Sequence, residues 1–148
     1  MPADFVEHRV KQTGASVRAP ATWRSVPIEG DRLGLSSSDG KSVMGLIVAD
    51  PDPEADAASV VRNRPKELEA EHPGVAKVTS AEVVRFGKFD AARIVVDMRG
   101  PQGGVVRMCN VTVNTKAHQY VFFFADRPDP FDAALPVFEQ IVSSAVLP

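Results

Sequence analysis

Three histidines and one cysteine are the side chains best suited to metal binding or nucleophilic chemistry, and they lie far apart in the sequence. His8, His72 and His118 stand in separate segments and show none of the spacings, such as His-Glu-x-x-His, that bind a metal ion. Cys109 lies within a predicted strand with valine on its own face, which favours a buried, inert thiol; activation by Arg107 is the alternative. The sequence therefore predicts no catalytic residues, no metal site and no cofactor.

Four acidic residues alternate between Asp50 and Asp56, a pattern that superficially resembles a calcium-binding loop. Such a loop needs a glycine at its sixth position and a bidentate acid at its twelfth, and here prolines separate the acids. We expect the acids to stabilise the start of a helix, with Asp52 as the N-cap and Pro53 at the first helical position. Calcium binding is the alternative.

The charge balance argues against nucleic acid or an anionic membrane as the partner. The 148 residues carry 17 basic and 19 acidic side chains, a net charge of −2. The glycine-rich segment 99–104 lacks the Gly-Lys-Ser/Thr of a phosphate loop and predicts a hairpin loop. No apolar run approaches the ~20 residues of a membrane span. The sequence as written predicts a soluble cytoplasmic protein, or an envelope or secreted one if a leader has been removed.

Hydrophobic periodicity predicts an α+β fold with two helices against one antiparallel sheet. Apolar positions at helical spacing predict helices near residues 53–72 and 130–146, the first kinked or split at Pro65 and the second bent at Pro136. Alternating or apolar runs predict strands at 14–20, weakly at Val26 and Ile28, and at 32–36, 42–49, 77–86, 92–99, 105–114 and 119–125, with a turn at 87–88.

The most apolar strand, residues 119–125, carries large side chains on both faces. Tyr120, Phe122 and Phe124 point one way, and Val121, Phe123 and Ala125 point the other way, because side chains alternate along a strand. We expect a central strand with one set in the core and the other at a cover or an interface. If both helices pack on the same face, the other set forms an exposed apolar patch, and the tyrosine-bearing set is the better candidate for it, since its hydroxyl tolerates a wet rim.

Both ends of the chain resemble PsbP-like domains. The opening Val17-Arg-Ala-Pro20-Ala-Thr-Trp23 is similar to their hydrophobic strand, proline and tryptophan. The ending, Tyr120–Phe124, then Asp129-Pro-Phe131, then Phe138-x-x-Ile141-x-x-Ser144, resembles their last strand and helix. This superfamily includes PsbP of photosystem II, the Mog regulator of Ran GTPase, LpqN-type lipoproteins and type VI effector chaperones.

The resemblance covers residues 14–146 and implies an α/β/α sandwich around a twisted antiparallel sheet. It also implies a role in binding proteins, since these relatives mostly act that way and share no catalytic residues. We expect residues 14–148 to form a single PsbP-like domain, preceded by an N-terminal extension at 1–13 that can be flexible.

The sequence therefore predicts a non-catalytic protein-interaction domain, an adaptor, accessory subunit or chaperone-like binder that uses an apolar sheet face. The partner is an unknown protein or a second copy of the chain, and the candidate binding residues are Trp23, Tyr120, Phe122 and Phe124. A carrier of a small apolar ligand or lipid is the alternative, and it requires a closed apolar cavity of at least ~300 Å³. A small enzyme is a third hypothesis, and the strand-borne charges that could converge for it are Arg93, Asp97, Arg99 and Arg107.

Overall fold

A computed structural model describes residues 4–10, 13–26, 32–40, 42–52, 54, 56–86 and 89–147. The predicted strand position Ile28, the predicted first helical residue Pro53 and the predicted turn at 87–88 lie outside the described residues.

Nine strands and two helices make up the described part of the chain. They are β1 Phe5–Arg9, β2 Ser16–Pro20, β3 Arg24–Val26, β4 Arg32–Ser36, β5 Val43–Ala49, α1 Ala57–Glu71, β6 Ala76–Phe86, β7 Phe89–Arg99, β8 Val105–Asn114, β9 Gln119–Asp126 and α2 Pro128–Ser143. The α+β class and the order of the long strands agree with the hydrophobic periodicity.

Seven strands form one antiparallel sheet in the order β3-β4-β5-β9-β8-β7-β6. The hairpin-linked strands β6 to β9 run side by side as a meander, and the earlier strands β3 to β5 extend the sheet on the other side of β9. The middle position of β9 agrees with the large apolar side chains on both of its faces, because a strand at the edge would leave them uncovered.

The two helices cover opposite faces of this sheet. Helix α1 packs on β6, β7 and β8, and helix α2 packs on β8, β9 and β2. On β8, Asn110 lines a cleft with α1, whereas its neighbour Cys109 pairs with Phe124, whose ring stacks on α2. Neighbouring residues of a strand point to opposite faces, so the arrangement is an α/β/α sandwich, as the resemblance implied.

The main core lies on the α2 face, where the β1–β2 hairpin packs beside α2. Its largest fully buried side chains are Val17, Leu35, Met44, Leu46, Val113, Tyr120, Phe122, Phe124, Phe131, Phe138 and Ile141. The segment before residue 14, expected as an N-terminal extension, contains β1, which pairs with β2 and buries Phe5. The Arg18 backbone N–H donates to Ser144 Oγ at 2.7 Å and ties the hairpin to the end of α2.

The starts of both helices differ from the prediction. Helix α1 begins at Ala57 and not near residue 53, because the N-cap is Asp56: its carboxylate accepts the Ser59 backbone N–H at 2.7 Å. The Asp52 carboxylate accepts the Glu54 backbone N–H instead and forms a turn before the helix. Helix α1 continues through Pro65 without splitting, and α2 begins at Pro128.

Candidate functional site

The three predicted binding residues of β9 lie in the main core. Tyr120, Phe122 and Phe124 are fully buried, and the ring of Phe124 stacks between Phe131 and Phe138, with centroids 5.1 and 5.3 Å away. The expectation that this set faces outward is therefore wrong for the free chain, because α2 and the β1–β2 hairpin cover that face. Whether these side chains contribute to partner binding stays a prediction.

Trp23, the fourth predicted residue, is half-buried and packs against the edge of the main core. It follows β2, where Pro20 ends the strand and its carbonyl accepts the Trp23 backbone N–H at 2.9 Å. This turn places the indole at the edge of the core, as expected for a side chain that covers one end of the sheet. Its role as an interface anchor stays a prediction.

The Tyr120 hydroxyl explains why the sequence favoured the wrong face. A hydroxyl usually keeps a hydrogen-bond partner or contact with water, yet this oxygen is buried without a partner among the described residues. The ring meets His118 edge-on, with 5.8 Å between centroids. Burial raises the pKa of Tyr120.

The opposite face of β9 is the one left partly open. Its side chains are half-buried, and they continue onto the neighbouring strands β5 and β8, beyond the main packing area of α1 on β6 to β8. We call this surface the open sheet patch; it consists of Val43, Ile47, Met108, Val121, Phe123 and Ala125. Val43 is 41% exposed. An exposed apolar surface of this kind is typical of an interaction site.

Gly45 leaves room for the ring of Phe123 to lie over β5. The two residues are direct neighbours in the β5–β9 pairing, and a Cβ at position 45 would stand 2.3 Å from Phe123 Cζ. Any other residue would displace the ring. The glycine therefore allows an aromatic ring to lie across the middle of the open sheet patch.

A cleft of about 560 Å³ adjoins the open sheet patch and lies between α1 and the sheet. Val121 lines the cleft and belongs to the open sheet patch. The other lining residues are Asp52, Glu54, Ser59, Val60, Asn63, Arg64, Glu67, Ile94, Asn110, Thr112 and Gln119. Most of these side chains are polar or charged, whereas a lipid carrier needs an apolar cavity. The cleft does not match the lipid-carrier alternative.

Three of the four strand-borne charges proposed for an enzyme form ion pairs that link the sheet to α2. Arg107 donates to both Asp97 oxygens at 2.8 and 3.2 Å, and it reaches Asp132 of α2 at 3.1 Å. The hydrogen bonds to Asp97 raise the pKa of Arg107. Arg93 similarly pairs with Glu82 at 3.4 Å and with Glu139 of α2 at 3.1 Å.

In these ion pairs, Arg93, Asp97 and Arg107 have a structural role instead of the catalytic role that the enzyme hypothesis gave them. Arg99, the remaining member, is exposed at the end of β7. Across the described residues, no three of His, Cys, Asp and Glu come together in a group that could hold a metal ion. No described helix is long and apolar enough to cross a membrane.

We predict that Cys109 is unreactive in the folded protein at neutral pH. Burial raises the pKa of its thiol to about 11, so the thiolate is scarce, and the side chain is fully buried. Iodoacetamide at pH 7.5 should label the native chain at least about tenfold more slowly than the chain in urea. Equal labelling rates would show an accessible thiol and revive the reactive alternative.

We also predict that stability falls as the pH drops through about 6.5, because of His8. Its Nε2 is buried without a hydrogen-bond partner among the described residues, and desolvation lowers its pKa from the model-compound value of 6.5. The unfolded chain then binds a proton more readily than the folded chain, so protonation favours unfolding.

Urea midpoints at pH 7.5 and 5.5 measure this effect. His8→Gln should flatten the difference, while His72→Gln, at the exposed end of α1, should retain it. An unchanged difference in His8→Gln would assign the pH dependence to other groups.

Comparisons with known proteins place this sandwich among PsbP-like structures. No protein-family model matches the chain, and curated proteins give no match. Among solved structures, cyanobacterial PsbP (CyanoP) from Synechocystis sp. PCC 6803 is similar with a TM-score of 0.73 and 14% identity, over 100% of this chain and 95% of that one. Protein PA94 from Pseudomonas aeruginosa, described as a putative regulator of unknown function, gives 0.63 and 12%, over 99% and 98%.

LpqN of Mycobacterium tuberculosis, which is involved in cell envelope biogenesis, gives a TM-score of 0.62 and 13% identity, over 97% of this chain and 91% of that one. All three matches extend over almost the whole length of both chains. The chain is an α/β/α sandwich, and within that class it has the PsbP-like fold.

Proposed function

We propose that this chain is a non-catalytic interaction domain, an adaptor, accessory subunit or chaperone-like binder, and that it binds a protein partner through the open sheet patch. The observation that carries the proposal is the ring of Phe123, which lies over Gly45 on a half-buried apolar surface. An apolar surface with an aromatic side chain at its centre has the composition of a protein-binding hot spot.

The surrounding charges support a binding role over a catalytic one. Arg93 and Arg107, the cations of the sheet interior, are engaged by carboxylates of β6, β7 and α2. These ion pairs link the sheet to α2 on the core side of β9.

In this proposal, the binding residues predicted from the sequence have an indirect role. These are Tyr120, Phe122 and Phe124. They anchor β9 from the core side, while their neighbours Val121 and Phe123 face the partner. Trp23 is proposed as a separate anchor on the rim of the core, and its contribution is independent of the open sheet patch.

Site-specific photo-crosslinking in the native cell tests the proposal. A photoreactive benzoylphenylalanine replaces Val43 in the open sheet patch, and in the control it replaces Val6 on β1; the two valines are 41% and 42% exposed. We expect one dominant crosslinked protein from position 43 and none from position 6. Absence of a crosslink at 43, or the same products at both positions, would contradict the proposal.

A further inference from the structure

Polar side chains without intramolecular partners converge on the cleft beside α1. Asn110 and Thr112 of β8 and Gln119 of β9 are half-buried in it, and the exposed Asn63 of α1 lines the same cleft. Within the described part of the chain, these four make no side-chain hydrogen bond. Arg64 of the same cleft differs, because it pairs with Glu67 and Glu71. Polar groups that are partly removed from water without a partner are available to bind a ligand.

We infer that the cleft beside α1 binds an extended peptide segment of the partner, an inference that rests on the proposed function. A carboxamide carries one carbonyl and N–H donors, which are the groups that a peptide main chain presents. Asn63, Asn110 and Gln119 can therefore pair with main-chain N–H and C=O groups of a peptide whatever its side chains.

The spacing on β8 fits this ligand. Asn110 and Thr112 are two residues apart on one strand face, which separates them by about 6.6–6.8 Å. An extended peptide repeats its outward N–H and C=O groups over the same two-residue distance. The two side chains thus match successive hydrogen-bonding groups along one edge of the peptide.

The cleft also has room and an apolar floor for the peptide. Its volume of about 560 Å³ lies within the range of ligand-binding clefts, and Val60, Ile94 and Val121 supply apolar contacts. Because Val121 also belongs to the open sheet patch, a peptide leaving the cleft would pass directly onto Phe123. Cleft and patch together form one continuous binding surface.

The charge of the cleft restricts the side chains of the peptide. Asp52, Glu54 and Glu67 outnumber Arg64, which is paired with Glu67. An acidic peptide would be repelled, whereas a neutral or basic one would be tolerated or attracted. The ligand is therefore an extended segment with apolar residues and without acidic ones.

A selection from phage-displayed random 12-residue peptides on the full chain tests the inference. We expect enrichment of apolar sequences that lack Asp and Glu. The most enriched peptide, synthesised with a fluorescein label, gives a Kd by fluorescence anisotropy. The variant Asn63→Ala with Asn110→Ala should weaken binding at least about tenfold, and Gln119→Ala alone should also weaken it. Gln140→Ala, on the exposed side of α2, is the matched control and should leave the Kd unchanged.

Two results would overturn the inference: the selection yields no binder, or the binder is insensitive to Asn63→Ala with Asn110→Ala and to Gln119→Ala. Thermal melting confirms that each variant folds before its Kd is compared. The crosslink at position 43 tests the proposed function independently of peptide binding. A crosslink without peptide binding rejects the peptide and keeps the patch, whereas absence of both rejects both.

Discussion

Phe138→Ala should lower the free energy of unfolding by about 3–5 kcal/mol. The ring is fully buried at the centre of α2 and stacks on Phe124, so its removal leaves a cavity between the helix and β9. Helix α2 also carries the buried side chains of Phe131 and Ile141, and a domain of this size has a total stability of about 5–15 kcal/mol. Urea unfolding followed by circular dichroism measures the loss.

Phe123→Ala is the matched control for this measurement. The same ring is lost, but Phe123 is half-buried on the open sheet patch, so we expect less than about 1.5 kcal/mol. Equal losses at positions 138 and 123 would show that both faces of β9 are equally packed. That result would remove the distinction between core and open sheet patch.

The second large effect is expected at Gly45. In Gly45→Ala the new Cβ would stand 2.3 Å from Phe123 Cζ, so the ring has to leave the sheet. Because the ring is half-exposed, it can turn toward solvent with little loss of stability. We expect partner binding to weaken at least about tenfold, as for the loss of an aromatic hot spot, with a nearly unchanged melting temperature.

Gly104→Ala controls for the glycine substitution itself. A Cβ at position 104 would meet no atom within 4 Å, and the residue lies in the β7–β8 hairpin loop. Binding to the partner captured at position 43 should stay at the wild-type level in Gly104→Ala. Full binding by Gly45→Ala would show that the position of the ring over Gly45 is dispensable, and the binding site would then have to lie elsewhere.

Most of the secondary structure could be predicted because its signals are local. Alternation in 92–99 and 105–114 predicts β7 and β8, and the apolar stripe from Phe131 to Val142 predicts α2. The start of α1 could not be placed to the residue, since the side chains of both Asp52 and Asp56 can cap a helix. The choice falls on Asp56 because its carboxylate reaches the Ser59 N–H at the correct spacing.

The outward face of β9 could not be predicted, because both sets of its side chains are apolar. The decision depends on long-range packing: Ser144 binds the backbone of Arg18, which brings the β1–β2 hairpin and α2 to the same face. No local pattern records a contact between residues 126 positions apart. The Tyr120 hydroxyl then pointed to the wrong set.

The cleft beside α1 was also missed, for the same physical reason. Asn63 and Asn110 come from elements far apart in the chain, and only the packing of α1 on β8 brings them to one cavity. The sequence does contain one part of the pattern that forms the cleft, because Asn110 and Thr112 alternate with apolar residues of β8. Alternating polar residues normally indicate a solvent-facing side, and a cleft gives the same pattern.

Oxidative footprinting of the methionines tests the central claim most directly. Met108 belongs to the open sheet patch, and Met98 lies on the same sheet face outside the patch, one strand farther from β9; both are half-buried. The chain is exposed to hydroxyl radicals with and without the partner captured at position 43, and mass spectrometry reads the sulfoxide at each methionine. We expect the partner to protect Met108 at least about threefold and to protect Met98 less, since Met98 lies beyond the open sheet patch and one strand farther from Phe123. Protection of Met98 with unchanged oxidation of Met108 would contradict this account.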